Sequence, residues 1–206
     1  MESTRLGRSE LEVSRVGLGC NNFGRRIDRG ATRRVVEAAL DAGITFFDTA
    51  ESYGEGDSER FLGAALGERR SHVVVATKFG WAPADLPGGD PERVRRATVG
   101  SLERLGTDVV DLLYYHRPDG VTPLAETLGA MQELVEAGKV RALGLSNVDV
   151  GLLDRIERGV RIWIRVVDVV GHQPERRLRL RTYRPGDHHP DEHHDKERQQ
   201  AHGHHV

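Results

Sequence analysis

The sequence contains a single cysteine, Cys20, and only three lysines among its 30 basic residues: Lys78, Lys139 and Lys196. One cysteine cannot form an intramolecular disulfide, so we expect the chain to work in a reducing cytoplasm. The formal net charge of −2 argues against nucleic acid or an anionic membrane as the main partner. No window reaches the roughly 20 apolar residues of a membrane span. The N-terminal MESTRLGRSE also lacks the apolar core of a secretory signal.

Short apolar segments alternate with amphipathic helical patterns along the first three quarters of the chain. Nearly continuous hydrophobicity over so few residues is typical of strands buried on both faces of a parallel sheet. The predicted strands are RVGLG (15–19), ITFFDTA (44–50), VVVATKFG (73–80), VVDLLYYH (109–116) and VRALGLSN (140–147).

Helices are predicted between these strands, at residues 32–42, 58–66, 91–105 and 124–137. Asp90 and Thr122 each precede a proline, a pattern typical of an N-cap followed by a first-turn proline. Gly43 and Gly138 are placed to end the first and last of these helices. A strand and a helix together take about 30 residues, which suits right-handed βαβ units. Residues 5–14, ahead of the first strand, predict a small hairpin.

Two architectures fit this order of elements: an open doubly wound sheet and a (β/α)₈ barrel. The glycine-rich GLGCNNFG at residues 17–24 lacks the G-x-G-x-x-G spacing of dinucleotide-binding open sheets, which favours the barrel. Five strand–helix units end near residue 157, and RIWIRVVDVV (161–170) predicts a sixth strand, whereas a barrel of this kind has eight. The expected fold is therefore an incomplete α/β barrel of the TIM type over residues 1–170.

Polar side chains lie at or just past the carboxyl end of every predicted strand. In a parallel barrel these ends open onto one face, where active sites lie. Taken singly, each residue has a structural explanation, such as a turn cap for Asp48 or a hydrogen-bonded core histidine for His116. These separate structural explanations do not account for the occurrence of polar residues at the same position in successive strand–helix units. The residues are Asn21 and Asn22, Asp48 with Tyr53, Lys78, His116, and Ser146 with Asn147.

The set also makes chemical sense. A phenol with an unperturbed pKa of about 10 is a weak acid for protonating a carbonyl oxygen at neutral pH. A nearby ammonium group favours the phenolate, a carboxylate holds the ammonium, and an imidazole can donate to the carbonyl oxygen. The pattern predicts a site that adds a hydride and a proton to an aldehyde or ketone.

Four separate segments resemble the aldo-keto reductase superfamily, and the resemblance covers residues 1 to about 157. They are DTAESYGEGDSERFLGAAL, VVVATKFG, VVDLLYYHRPD and VRALGLSNV. The resemblance implies an NADPH-dependent (β/α)₈ barrel without a separate dinucleotide-binding domain. It also implies that Tyr53 is the general acid, that Lys78 and Asp48 tune it, and that His116 orients the carbonyl group.

The resemblance further assigns residues to the cofactor. Ser146 and Asn147 would hydrogen-bond the nicotinamide carboxamide, and Asp48 and the loop at Asn21 would lie near the cofactor. Cys20 would act as a spacer beside the cofactor and not as a nucleophile. No metal is implied.

The composition changes after residue 170. Eight of the ten histidines fall in residues 171–206 and few apolar residues do, which predicts a disordered tail. In the family, the seventh and eighth units carry the phosphate-binding loops, which have no counterpart here. We interpret the change as a frame change or truncation near residues 158–171. HPDEH (189–193) matches the inverted zincin pattern, but Pro190 opposes the helix that this chemistry needs, so adventitious metal binding is the preferred interpretation.

Three functions remain open from the sequence. The chain is a working NADPH-dependent reductase of a small carbonyl substrate, an inactive fragment of such an enzyme, or a reductase-like regulatory or binding module. The sequence specifies neither the substrate nor an oligomeric state.

Overall fold

The computed structural model describes residues 1–7, 9–81, 84–149 and 151–152, together with the backbone of residues 166–170. These residues lie within one compact unit, Met1–His172. The predicted tail at 171–206, its HPDEH motif and most of the expected break at 158–171 lie outside the described residues. In the described part of the chain, no helix is long and apolar enough to cross a membrane.

The described strands and helices alternate after an initial pair of strands. The strands are β1 (Ser3–Arg5), β2 (Glu12–Ser14), β3 (Gly17–Gly19), β4 (Phe46–Asp48), β5 (Val74–Phe79), β6 (Val110–Tyr115), β7 (Val140–Ser146) and β8 (Val166–Val170). The helices are α1 (Arg29–Asp41), α2 (Asp57–Leu66), α3 (Pro91–Leu105) and α4 (Leu124–Glu136), with short 3₁₀ turns at Tyr53–Gly56 and Gly67–His72.

Strands β3 to β8 form one parallel sheet whose spatial order is the same as their order in the chain. A doubly wound sheet reverses its strand order at a switch point, whereas a (β/α) barrel adds each strand beside the previous one. The sheet therefore has the barrel type of winding, and the prediction of a partial TIM-type barrel is confirmed.

The register of the sheet determines which side chains share its inner face. Asp48 pairs with Ala76, and Lys78 pairs with Tyr114. Tyr114 in turn pairs with Gly144. Because side chains alternate between the two faces of a strand, His116 and Ser146 continue this inner row two positions beyond Tyr114 and Gly144. The polar strand ends therefore share one face of the sheet.

The hairpin β1–β2 packs at the opposite end of the inner face. Ser14 and Thr45 exchange backbone-to-hydroxyl hydrogen bonds of 2.9 Å each, at the start of β4. Leu11 and Val13 of the hairpin join a buried cluster on the inner face: Val74, Ala76, Leu112, Tyr114 and Ala142. The hairpin thus covers the amino ends of the strands and leaves their carboxyl ends as the open side.

The outer face of the sheet packs against the helices in two further clusters. One places Phe47 and Val75 against helices α1 and α2, and the other places Leu113 and Leu143 against α3 and α4. Most strand residues of each cluster occupy alternate positions along their strands. Strands β5 and β6 are buried on both faces. Both layers of the core therefore hold the strands that carry the site.

The predicted start of the first helix was wrong by one turn. Helix α1 begins at Arg29, and the Asp28 carboxylate caps it by accepting a 2.7 Å hydrogen bond from the amide of Ala31. The sequence Arg-Gly-Ala in this first turn has no apolar stripe, so hydrophobic periodicity did not detect it. The predicted hairpin at 5–14 likewise begins earlier, at Ser3.

The predicted cap of the last helix was also wrong. Helix α4 begins at Leu124 after Pro123, which has no side chain able to cap it. The hydroxyl of Thr122 donates instead to Asp119 over 2.8 Å, so the loop uses it internally. The predicted cap at Asp90 is confirmed, because its Oδ1 accepts from the amides of Glu92 and Arg93.

Candidate active site

Strands β4 to β7 each place a predicted site residue at or near their carboxyl ends. Tyr53 opens the 3₁₀ turn that follows β4 and precedes α2. The others are Asp48, the last residue of β4; Lys78 in β5; His116, directly after β6; and Ser146, the last residue of β7.

The ammonium group of Lys78 has three acceptors. Its Nζ donates to Oδ2 of Asp48 over 2.7 Å, to the main-chain oxygen of Thr49 over 2.8 Å and to the hydroxyl oxygen of Tyr53 over 3.4 Å. The Lys78 side chain is only 7 % exposed. An ammonium group has three hydrogens, so its donors are all committed and one is directed at the Tyr53 oxygen.

Asp48 and Lys78 form a close ion pair at the base of the site. Nζ also lies 2.7 Å from Oδ1 of Asp48, so both carboxylate oxygens face the ammonium group. Burial raises the pKa of the Asp48 carboxyl, and the charge and hydrogen bond of Lys78 act in the opposite direction. Because the two charges are opposite, the pair adds no net charge to the open side of the barrel.

The turn that carries Tyr53 is held by backbone conformations that favour glycine. Gly54 and Gly56 have φ values of 57° and 89°. A Cβ atom added to Gly54 would lie 2.8 Å from the main-chain oxygen of Phe23, in the loop after β3. The close approach of these two loops leaves the turn little freedom, which stabilises the position of the Tyr53 ring.

His116 lies between two aromatic rings. Its ring centroid is 5.9 Å from that of Tyr53 and 4.6 Å from that of Trp81, both in edge-on geometry. Burial, with a smaller effect of the Lys78 charge, lowers the pKa of His116 to about 4, so the imidazole is neutral at pH 7. Its buried Nδ1 has no hydrogen-bond partner among the described residues. A neutral imidazole carries its proton on one ring nitrogen, which can donate a hydrogen bond, while the other nitrogen can accept one.

Asn147 connects the ends of β6 and β7. It has a left-handed backbone, with φ of 55°. Its Nδ2 donates to the main-chain oxygen of His116 over 2.8 Å and to Oγ of Ser146 over 3.1 Å. In the described part of the chain, Oδ1 of Asn147 accepts no hydrogen bond and the Ser146 hydroxyl donates none. The pair therefore offers one acceptor and one donor side by side.

The turn after β3 is adjacent to Asp48 through the backbone. The amide of Cys20 donates to the main-chain oxygen of Asp48 over 2.8 Å. The Cys20 side chain is fully buried, and burial raises the pKa of its thiol, which disfavours the thiolate that a nucleophile needs. Asn21 follows in an exposed position, and no hydrogen bond among the described residues joins it to Asp48, Lys78 or Tyr53.

Sequence reasoning missed a buried ion pair directly behind the site. Glu51 lies between Asp48 and Tyr53 in the chain, and its Oε1 accepts from Nη2 of Arg93 over 2.7 Å. The same oxygen accepts from the amide of Gly80 over 2.8 Å. Glu51 therefore ties the loop after β4 to the loop after β5 and to helix α3. Its place between two site residues was the available signal.

A second buried carboxylate was also missed. Glu59 of α2 accepts from the Thr77 hydroxyl over 2.5 Å and from Nε of Arg104 over 2.6 Å. Thr77 is the neighbour of Lys78 in β5, so this contact joins the helix that follows Tyr53 to the strand that carries Lys78. Charged residues near the start of a helix are usually exposed, so the sequence offered no sign that Glu59 is buried.

Together, the groups at the site suit the protonation of a carbonyl oxygen. The Tyr53 hydroxyl accepts a hydrogen bond from the Lys78 ammonium group, and the neutral imidazole of His116 lies next to the Tyr53 ring. The donor and acceptor of Ser146 and Asn147 are at the neighbouring strand end. No metal ion is needed for this arrangement to work as an acid.

Residues 15–174 match the model of the aldo/keto reductase family. Over 163 residues the chain is 39% identical to the aldo-keto reductase YhdN of Bacillus subtilis. This alignment covers 75% of this chain and 49% of that protein. Over 154 residues it is 40% identical to a probable voltage-gated potassium channel subunit beta of Oryza sativa, covering 71% of this chain and 47% of that protein. The chain spans about half the length of the curated relatives it matches.

Solved structures show the same similarity in three dimensions. The holo form of an aldo-keto reductase from Bacillus halodurans superposes with a TM-score of 0.71 at 32% identity, over 79% of this chain and 55% of that one. A glycerol dehydrogenase of Gluconobacter oxydans superposes with a TM-score of 0.65 at 35% identity, over 74% of this chain and 50% of that one. Since the family match covers the described sheet and every strand end that carries the site, the chain belongs to the aldo/keto reductase family.

Proposed function

We propose that this site carries out the NADPH-dependent reduction of an aldehyde or ketone to an alcohol, with Tyr53 as the proton donor. The observation that carries the proposal is the geometry of Lys78, whose ammonium group is held by Asp48 and directed at the Tyr53 oxygen over 3.4 Å. An acid that must release its proton needs stabilisation of the anion it leaves, and this ammonium group supplies it. The partner is a small carbonyl compound, and the single free thiol suits a reducing cytoplasm.

The described residues fit the nicotinamide end of the cofactor. A carboxamide has one carbonyl oxygen and an NH₂ group, which match the unused Ser146 hydroxyl hydrogen and the unused Oδ1 of Asn147. Asp48 lies on the same inner face, and Asn21 is in the exposed turn beside it. When bound, NADPH supplies the hydride that the carbonyl carbon accepts.

The chain's own residues then handle the substrate oxygen. The protonated nitrogen of the neutral His116 imidazole donates a hydrogen bond that orients the carbonyl group toward Tyr53. Tyr53 gives its hydroxyl proton to that oxygen as negative charge develops there. Lys78 stabilises the resulting phenolate, and Asp48 keeps the ammonium group in place. The alcohol leaves, and Tyr53 recovers its proton from water.

A binding module is the second candidate. It is supported by the 40% identity with the rice protein named as a probable voltage-gated potassium channel subunit beta. In that case the same residues would hold the nicotinamide cofactor without reducing a substrate. An inactive reductase chain, which binds no cofactor, is the third candidate, and one experiment separates all three.

The experiment combines turnover and binding on the full chain. Turnover is followed by the loss of reduced-nicotinamide absorbance with a panel of aldehydes, and binding by the quenching of tryptophan fluorescence, each with NADPH and NADH. We expect NADPH to saturate at the lower concentration. Tyr53→Phe should lower kcat by roughly 100-fold or more, since a positioned general acid contributes about that factor, and should bind NADPH unchanged.

Each outcome selects one candidate. Turnover that survives in Tyr53→Phe would contradict the proposed acid. Saturable NADPH binding by the wild type without turnover of any aldehyde would favour the binding module. The absence of both binding and turnover would leave the inactive chain.

A further inference from the structure

An exposed tryptophan forms one wall of the site. Trp81 follows β5 by two residues, and 51 % of its surface is exposed. Its ring lies edge-on to His116, at 4.6 Å between centroids. A large apolar surface in contact with a catalytic imidazole is suited to cover the body of a bound substrate.

The guanidinium group of Arg117 lies over this tryptophan. Its Cζ is 5.6 Å from the centroid of the Trp81 ring, within the range of a cation–π contact. Arg117 is exposed and directly follows His116 in the chain. In the described part of the chain it has neither an ion-pair partner nor a hydrogen-bond acceptor, so its planar fork of donors is available.

Two carboxylates of the loops after β4 and β6, Glu51 and Asp119, make their hydrogen bonds to groups other than Arg117. Asp119, two residues further on, accepts from the amides of Gly89, Val121 and Thr122 and from the Thr122 hydroxyl. Glu51 is buried against Arg93. Lys78 and Asp48 carry opposite charges and His116 is neutral at pH 7, so Arg117 brings to this side of the site a positive charge that forms no ion pair with a described carboxylate.

We propose that Arg117, held against Trp81, binds an anionic group of the substrate, so that this site prefers carbonyl compounds carrying a carboxylate or a phosphate. The inference rests on the proposed carbonyl reduction and adds the substrate class to it. A guanidinium fork matches both anions with paired hydrogen bonds, and a flat ring beneath it restricts its orientation. The apolar body of such a substrate would lie on the exposed face of Trp81 while its carbonyl group meets His116.

The test compares substrates that differ in the group opposite the aldehyde, which is anionic in two of them and neutral in the third. 4-Carboxybenzaldehyde is the carboxylate, 4-formylphenyl phosphate is the phosphate, and 4-formylbenzamide is a neutral compound of similar shape. In Arg117→Gln we expect KM for the two anionic aldehydes to rise about tenfold, because a charge-assisted pair is lost from a solvent-exposed position. KM for the neutral amide and kcat for all three should stay within about twofold of the wild type, because Arg117 contacts no reacting atom.

Two further variants make the result specific. Arg117→Lys keeps the charge without the fork and should recover part of the loss. Arg33→Gln removes an exposed arginine on α1, on the outer side of the barrel, and should leave every KM unchanged. Raising the ionic strength should increase KM of the anionic aldehydes for the wild type and have little effect for Arg117→Gln. Whichever anion shows the larger shift identifies the preferred group.

Binding gives a readout that does not depend on turnover. With Trp163→Phe, Trp81 is the single tryptophan, and its fluorescence can be titrated with terephthalate and with the neutral terephthalamide. Quenching by terephthalate that weakens in Arg117→Gln supports the proposal even if no aldehyde is reduced, in which case only the proposed function fails. Equal responses of the anionic and neutral ligands to Arg117→Gln, in KM and in quenching, would overturn it.

Discussion

Glu59 and Arg104 form an ion pair in which the carboxylate has no exposed surface, with 2.6 Å between Oε2 and Nε. The pair joins α2 to α3, and the other carboxylate oxygen accepts from Thr77 in β5. Removal of a partner from a buried ion pair leaves an uncompensated charge, which costs far more than the pair itself contributes. The contact therefore matters for stability chiefly because its loss would leave the buried Glu59 carboxylate without a charged partner.

We predict that Arg104→Met lowers the free energy of unfolding by about 3 kcal/mol, because Glu59 keeps only its hydroxyl partner. Arg60→Met is the matched control. Arg60 lies next to Glu59 in α2 and forms an exposed ion pair with Asp57 at 3.0 Å. That change should cost less than about 1 kcal/mol. Urea unfolding followed by circular dichroism measures both, and equal losses would contradict the prediction.

Two helical glycines should respond to alanine with opposite signs. A Cβ atom on Gly63 of α2 would clash with the main-chain oxygen of Leu105 at the end of α3, and backbone cannot move aside as a side chain can. A Cβ atom on Gly129 of α4 would meet nothing within 4 Å. We expect Gly63→Ala to destabilise the fold and Gly129→Ala to stabilise it by about 0.5–1 kcal/mol, the gain in helix propensity.

Thermal unfolding of the two alanine variants checks this pair. The wild-type midpoint should lie between theirs. A stabilised Gly63→Ala would show that α2 and α3 pack less closely than the structure indicates, whereas a destabilised Gly129→Ala would show that α4 is not open at that position.

The pH dependence of stability should carry a contribution from His116. Its pKa is about 4 in the folded protein and 6.5 in an unperturbed chain, so between these values the unfolded state binds the extra proton. Stability therefore rises with pH from about 4 to 6.5 and is independent of this group above that window. We predict that His116→Gln flattens this rise.

Urea midpoints at several pH values between 4 and 7.5 measure the effect of His116→Gln. The matched control is His72→Gln, which removes an exposed imidazole at the end of a 3₁₀ turn. A His116→Gln curve parallel to that of the wild type throughout the window would contradict the assigned direction of the shift.

The left-handed backbone of Asn147 allows its backbone strain to be separated from its hydrogen bonds. Asn147→Gly and Asn147→Ala both lose the amide contact with the main-chain oxygen of His116, but only alanine is strained at φ of 55°. We predict that the alanine variant is less stable than the glycine variant by about 1 kcal/mol. Chemical unfolding of the two variants provides the comparison, and equal stability would show that the turn can change its conformation.

Much of the fold could be predicted from local pattern. Continuous apolar segments indicated the strands, and Gly43 and Gly138 marked helix ends that the structure confirms with φ values of 80° and 69°. The prediction of a helix cap failed at Thr122, because its hydroxyl forms a hydrogen bond within the loop. The predicted start of α1 failed at Arg29, because the first turn of that helix has no apolar stripe. The residue at which a helix begins depends on which hydrogen-bond partners compete for the side chains there. The spacing of apolar residues does not reveal those partners.

The sequence by itself determined the order of the elements, the family signatures, and the chemistry that follows each strand. Only the tertiary structure decided that Lys78 divides its ammonium group among Asp48, Thr49 and Tyr53, and that Asn147 bonds to the strand end carrying His116. It also decided that Glu51 and Glu59 are buried and that Arg117 lies over Trp81. The physical reason is that burial and pairing of a charge depend on partners from other elements, often some 30 or more positions away.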